Sequence, residues 1–328
     1  MHLSAPNPVP LAAAAVAVAT AAALAGCSSS SSSSASTASS AAASSAAAAA
    51  AQFPVTVTTS SGPVTIKAKP ARIVSLSPTA TEDLYAVGAG SQVVAVDSDS
   101  DYPPGAPVTK LSALTPNIEA IAKYSPAVVI APANTGGLAA GLAKLGIPVL
   151  IEPAAATLAD AYAQIDQIGQ ATGHPAQAGQ TVTSMKTQIA ATLKQAGSSH
   201  PSLTYYYELS ANPYYSAASS TFIGQVVGLF GLKNIADAAD QASDGGYPEL
   251  TEEYILKAQP KIIFLADNQT ADGGQTAAIV SARPGWSAIP AVKDHDVIGL
   301  NDDIASRWGP RLPQLVDEIA QAVEQASQ

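Results

Sequence analysis

Cysteine occurs once, at Cys27, in a chain of 328 residues. A disulfide within the chain is therefore excluded, and stability has to come from a packed core. Basic side chains are scarce as well: 15 Lys and Arg against 25 Asp and Glu leave a net charge of −10. Nucleic acid is disfavoured as a partner, because phosphate contacts need a concentrated basic surface. Histidine adds little. His2 lies in the leading segment, while His174, His200 and His295 fall beside helix breaks or in a polar turn, without the i, i+4 spacing of a metal site. There is no Gly-x-Ser-x-Gly elbow and no Walker loop, and Gly88-Ala89-Gly90 follows a helical pattern instead of a strand, so it reads as a helix stop. With no organised set of catalytic or metal-ligating residues and no call for a cofactor, the chain is expected not to be an enzyme. A hydrolase would have to use loop carboxylates such as Asp302 and Asp303, which read more simply as a cap on the final helical region.

Long apolar runs are also few. Leu11 to Leu24 is almost unbroken, too short to span a bilayer as a stable helix but suited to the core of a secretory signal. It leads into Leu24-Ala25-Gly26-Cys27, which resembles a bacterial lipobox and implies lipidation at Cys27. Residues 1–10 carry no Lys or Arg, a departure from the usual positive start. Residues 28–51 are nearly pure serine and alanine, which cannot build a core and read as a tether. As a flexible coil, such a segment would span roughly 25–30 Å. The chain is thus expected to divide into a lipoprotein signal (1–26), a tether (27–52), a first lobe with a leading hairpin (53–156), a helical connector (157–200) and a second lobe (201–328), lipid-anchored outside the cytoplasm and monomeric.

What is present is a duplication. Asn117 to Ala131, NIEAIAKYSPAVVIA, recurs as Thr251 to Leu265, TEEYILKAQPKIIFL, with Glu119 against Glu253, Lys123 against Lys257 and Pro126 against Pro260 at one constant offset. Each copy reads as a polar cap, an acidic first turn, a helix ended by proline and a short buried strand. A unit placed once in each half predicts two similar lobes with a cleft between them.

Around it, Phe53 to Ala68 alternates as a hairpin turning at Ser60-Ser61-Gly62-Pro63, and Val/Ile-rich runs at Arg72–Leu76, Gln92–Val96, Ala127–Ala131 and Ile147–Ile151 alternate with helical patterns. Such alternation predicts a parallel α/β layer. Between Thr157 and Gly197 apolar residues recur at three and four, which predicts two helices, the second starting near Pro175. The second lobe is expected to repeat the order, with strands at Leu203–Glu208 and Asp296–Leu300, a helix over Thr221–Phe230 and a last helix over Pro313–Ala326. Its loops Ala211–Ser219, Asp240–Leu250 and Asp302–Arg311 hold much of the aromatic and charged content. Tyr102, Tyr214, Tyr215, Tyr247, Arg307, Trp308 and Arg311 are the ligand candidates, since tyrosine offers an apolar face with a polar tip and arginine a fork for anions.

Arg72-Ile73-Val74-Ser75-Leu76-Ser77-Pro78, Asp99-Ser100-Asp101-Tyr102-Pro103-Pro104 and Asn117-Ile118-Glu119 resemble the N-terminal lobe of the cobalamin- and ferric-siderophore-type substrate-binding proteins of ABC importers. Leu229-Phe230-Gly231-Leu232-Lys233-Asn234-Ile235-Ala236-Asp237 and Ser306-Arg307-Trp308-Gly309-Pro310-Arg311 resemble their C-terminal lobe. The resemblance implies two Rossmann-like lobes joined by a rigid α-helical connector, with a metal-chelate ligand in the cleft. It implies ligand contacts at Ser77, Pro78, Tyr102, Tyr247 and the segment around Arg307, and one glutamate per lobe, Glu119 and Glu253, docking on the permease. The Ser-Asp-Tyr-Pro-Pro loop is most similar to the cobalamin branch. Tryptophan, typical of that branch just before the first-lobe glutamate, is replaced here by Leu111-Ser112-Ala113-Leu114-Thr115-Pro116. Arg307 and Arg311, with Arg283 more distantly, would serve an anionic ferric siderophore, and haem is a further alternative of the same fold.

Overall fold

The computed structural model describes residues 52–268 and 274–328. The expected signal, Cys27 and residues 28–51 of the expected tether lie outside the described residues. The described chain opens with an antiparallel hairpin, β1 (Val55–Thr59) and β2 (Gly62–Ile66). Its turn is shorter than expected, since Gly62 and Pro63 already pair with Thr59 and Thr58.

The first lobe is a parallel sheet in which every strand except β4 feeds a helix: β3 (Ile73–Ser75), α1 (Pro78–Ala86), β4 (Val93–Asp97), β5 (Val108–Leu111), α2 (Ile118–Ala122), β6 (Val128–Ala131), α3 (Leu138–Ala143) and β7 (Val149–Ile151). The spatial order is β5-β4-β3-β6-β7, all parallel. Strands β3, β6 and β7 are entirely buried, as a sheet covered on both faces requires. Strand β5 is too short and too exposed to show a pattern of its own, and only its pairing with β4 defines it.

The connector is a helical pair, α4 (Leu158–Thr172) and α5 (Pro175–Ala196). Thr157 and Asp160 close a reciprocal capping box on α4, and Gly173, at φ +82, turns the chain into Pro175 at the start of α5. Helix α5 reaches both lobes: Thr181 donates to the Ala86 carbonyl of the first, and Thr192 to Asp317 of the second.

The second lobe departs from the expected repetition. It comprises β8 (Thr204–Ala211), β9 (Tyr214–Ser216), α6 (Phe222–Gly228), β10 (Lys233–Asn234), β11 (Glu249–Leu250), α7 (Glu252–Ala258), β12 (Ile262–Leu265), α8 (Ala277–Ser281), α9 (Pro290–Lys293), β13 (Val297–Gly299), α10 (Asp302–Ala305) and α11 (Leu312–Ala326). The sheet runs β11-β9-β8-β12-β13, with β10 alongside β8. Strands β8, β10, β12 and β13 are parallel, but β9 folds back antiparallel on β8 and holds β11. Two of the loops read from the sequence therefore contain strands, and a third contains α10. One apolar core runs without interruption from Ile73 and Leu84 through Ile165 and Val182 to Tyr205, Phe264 and Leu315, so both lobes and the connector share it.

Candidate functional site

The carboxyl ends of the parallel strands of both lobes carry the polar loops. In the first lobe, Ser77 caps α1 by accepting from the Ala80 amide, and Thr81 donates to Ser75 and Ser100, which bonds Asp97. These groups are buried. The network fixes the loop that follows β4, so that Asp99, Asp101 and Tyr102 face the second lobe.

Glu82 on α1 is the centre of what they meet. Its side chain is 1% exposed and accepts from Arg307 Nη1 at 3.0 Å, from Arg311 Nε at 2.8 Å and from Arg311 Nη2 at 2.6 Å. Arg307 also donates through Nη2 to Asp303 at 2.6 Å, to Asp101 at 2.9 Å and to the Asp99 carbonyl at 3.2 Å. The Arg311 guanidinium lies 4.1 Å from the centre of the Tyr102 ring. Two arginines of the second lobe are thus bound to carboxylates, most of them in the first. Between them Trp308 donates to Gln164 of α4 at 2.8 Å, and Gln164 donates to the Pro153 carbonyl at 2.7 Å.

Beside this junction is a cavity of about 550 Å³, within the usual range for small-molecule sites. Its walls are Ala154, Ala155 and Ala156 after β7, Tyr207 and Leu209 of β8, Ser220, Thr221, Phe222 and Ile223 at the start of α6, Gly245, Tyr247, Ala266, and Asp302 with Ala305 to Trp308. The surface is mainly apolar and aromatic, with polar groups on the second-lobe side. Tyr247 is 48% exposed and stands at the rim.

Three of the expected ligand residues line this cavity, namely Tyr247, Arg307 and Trp308. Five do not. Ser77 is 4% exposed and holds the α1 cap; Pro78 is in the first turn of that helix; Tyr102 and Arg311 stack on each other at the junction. Tyr214 sits elsewhere, its ring 5.7 Å from Trp286, beside Arg283. Arg283 forms a two-pronged bond to the fully buried Glu208, 2.6 Å on each arm, and stacks on Trp286 at 4.5 Å. It too is internally paired. Of the wall residues that sequence reading missed, Ala154 to Ala156 follow the end of β7, Tyr207 and Leu209 lie within β8 and Phe222 follows the cap of α6; position in the fold is the one feature that marks them.

Several carboxyls here lie in apolar surroundings. Burial pushes Asp83 well above the usual carboxylate range, with Glu82 adding to the effect, and pushes Glu152 up to about 8 and Asp267 to about 7. One oxygen each of Asp83 and Glu152 is buried without a hydrogen-bond partner among the described residues. Asp303 is an ion-pair partner of Arg307. No group of three or more His, Cys, Asp or Glu able to hold a metal occurs among the described residues.

Glu119 and Glu253 occupy the first turns of α2 and α7 and are exposed. Asn117 and Thr251 supply the caps, accepting from Ala120 and Tyr254 at 2.9 and 3.2 Å. Neither acid enters an ion pair among the described residues, whereas Glu252 turns inward and accepts from Trp286 Nε1 at 3.1 Å.

A two-lobed α/β body with a helical connector and a cavity between the strand ends agrees with the family model for periplasmic binding protein, which matches residues 73–304. The chain belongs to the periplasmic binding protein family. An uncharacterized ABC transporter substrate-binding lipoprotein of Bacillus subtilis, YvrC, is 34% identical over 272 residues, covering 80% of this chain and 83% of that relative. A vitamin B12-binding protein of Pectobacterium carotovorum is 32% identical, covering 77% and 88%. Among solved structures, the Vibrio cholerae vitamin B12 binding protein BtuF superposes with a TM-score of 0.66 at 28% identity, covering 79% of this chain and 99% of that one. The heme-binding protein RhuT from Roseiflexus gives a TM-score of 0.66 at 25% identity, covering 78% and 99%.

Two predictions follow from the junction of this periplasmic binding protein. Glu82→Ala leaves two buried guanidinium groups without their shared partner and should cost about 3–5 kcal/mol of stability by urea unfolding; a loss below about 1 kcal/mol would show that Glu82 does not hold the lobes. Glu152 is favoured protonated in the fold, so its contribution is full below its ordinary value of 4.5 and is lost as pH rises through about 8. Glu152→Gln cannot ionise and should flatten that decline, raising the melting temperature over the parent at pH 8 and not at pH 4.5.

Proposed function

We propose that this protein captures a corrinoid of the cobalamin type outside the cytoplasm and delivers it to an ABC permease, held at the membrane by a lipid on Cys27. The observation that carries the choice of ligand is the state of the arginines. Arg307 lines the cavity and Arg311 stands at the junction beside it, yet both are bound to Glu82, and Arg307 also to Asp101 and Asp303. A ferric siderophore or a haem bearing carboxylates would have to break these buried pairs to find a cation, which is costly. A ligand without strong negative charge has no such need. It can lay an apolar face on Trp308, Tyr207 and Phe222 while amide groups meet Ser220, Thr221 and Asp302. The names of the relatives support this reading, two of them being vitamin B12 binders. An enzymatic role has no comparable support, since Asp303 is committed to Arg307. Delivery to a permease is supported by Glu119 and Glu253, exposed, one per lobe, and relieved of capping duty.

Thermal unfolding of the protein with cyanocobalamin, cobinamide, haem and a ferric hydroxamate separates the ligands. Corrinoid at a hundredfold excess over its Kd should stabilise by about 2.7 kcal/mol, and the anionic complexes should not; stabilisation by haem or siderophore alone would overturn the choice. For delivery, Glu119→Ala with Glu253→Ala should abolish uptake in cells with ligand affinity unchanged, and a loss of affinity in that variant would remove the docking role.

A further inference from the structure

A second groove, of about 420 Å³, lies at the opposite end of the first lobe from the ligand cavity. Ala127 and Pro148, which line it, immediately precede β6 and β7, whereas Ala154 to Ala156 of the ligand cavity follow β7. The floor is apolar, and Lys67 and Lys69 line it as exposed side chains. Next to it Lys144 is exposed and Leu145 is 56% exposed at the end of α3. In a protein of net charge −10 this face is unusual. None of these lysines is in an ion pair, for every salt bridge among the described residues belongs to Arg283, Arg307 or Arg311. Arg72, also exposed, stands at the same end of the sheet, its carbonyl bonded to the Ala127 amide.

The course of the chain singles out an occupant. The described residues begin at Gln52 and enter β1 at Val55, which pairs with Ile66 at the end of β2. Lys67 and Lys69 follow at once. The preceding 51 residues, with their apolar run and Cys27, therefore join the fold at the edge of this groove. Whatever holds that segment to a bilayer tethers the fold by this face. Lysines around an exposed leucine and an apolar floor have the chemistry of an interfacial contact: the ammonium groups meet anionic headgroups while the leucine enters the boundary below them.

We propose that, while the protein is not docked on its permease, the face around Lys67, Lys69, Lys144 and Leu145 rests on the anionic surface of the membrane with the ligand cavity turned outward; docking through Glu119 and Glu253, on the cavity side, requires this face to let go. The proposal rests on the anchored reading above only for what brings the face to a bilayer, and its test does not involve the transported ligand. Sedimentation of the full chain with vesicles of phosphatidylglycerol and phosphatidylcholine, and with phosphatidylcholine alone, reads the difference between the two lipids, to which the apolar leading run contributes equally. Binding should be stronger to the anionic vesicles and should fall at high salt. Lys67→Glu/Lys69→Glu/Lys144→Glu should reduce it about tenfold or more, and Leu145→Ser should weaken it further. Lys110→Glu/Lys186→Glu/Lys194→Glu, with the same change in net charge, should keep the preference. Equal binding to both vesicles, an equal loss in the second triple variant, or displacement by inorganic phosphate at an ionic strength where chloride has no effect would each overturn the proposal.

Discussion

The cavity takes its form from one buried carboxylate, Glu82, that two arginines of the other lobe share. A charge removed from water is tolerated only when paired and fully hydrogen-bonded, and Glu82 meets that condition through three bonds from Arg307 and Arg311. The neighbouring side chains are arranged around it. Asp83, next in sequence and fully enclosed, is pushed toward its neutral form, which avoids a second buried negative charge beside the first. Asp101 is mostly in solvent, Asp303 is partly so, and the two complete the coordination of Arg307 from outside. Of the two arginines that look from sequence like ligand groups, Arg307 is therefore bound into the wall and Arg311 into the junction beside it.

The connector gives the junction its permanence. Helix α5 touches α1 through Thr181 and α11 through Thr192, and the apolar core continues from one sheet to the other beneath the ion pairs. Separating the lobes would expose that core as well as break the buried pairs. The geometry between Glu119 and Glu253 is fixed by the same contacts. Exposed ion pairs are individually weak, but two held at a constant separation act as a bivalent contact, so a stiff body is what would make the proposed docking specific.

Local features of the fold were legible and distant ones were not. The duplicated unit could be read because Asn117 and Thr251 as caps, and Pro126 and Pro260 as stops, act within a few residues of themselves. The helix pair of the connector was visible for the same reason, through Thr157, Gly173 and Pro175. Strands β9 and β11 were missed because neither has a pattern: Leu250 is in a strand since it lies against Tyr214, and nothing near either residue records the other. The site divides in the same way. Tyr247, Arg307 and Trp308 could be found as unusual residues in a loop, but the partners of Arg307 are in the other lobe, and Glu208 and Arg283 are likewise far apart in the chain. The small walls at Ala154 to Ala156 carry no chemical mark at all.

Local helix chemistry also accounts for the polarity of the whole molecule. In a βαβ unit every helix begins at the carboxyl ends of the strands and finishes at their amino ends. Acids in first turns and lysines in last turns each favour the helix dipole. Glu119, Glu252, Glu253, Asp302 and Asp303 start α2, α7 and α10; Lys123 and Lys144 cap the ends of α2 and α3, and Lys257 and Lys293 close α7 and α9. Each placement is worth little alone, yet the parallel topology points them all the same way. These first-turn acids therefore gather on the side of the cavity and these lysines on the opposite side, where the chain enters the fold and where Asp294 and Glu324 are the acids at helix ends. A protein with an excess of acid can in this way keep one basic face, and the arginines inside the junction take no part in that sorting because their charge is already matched within the wall.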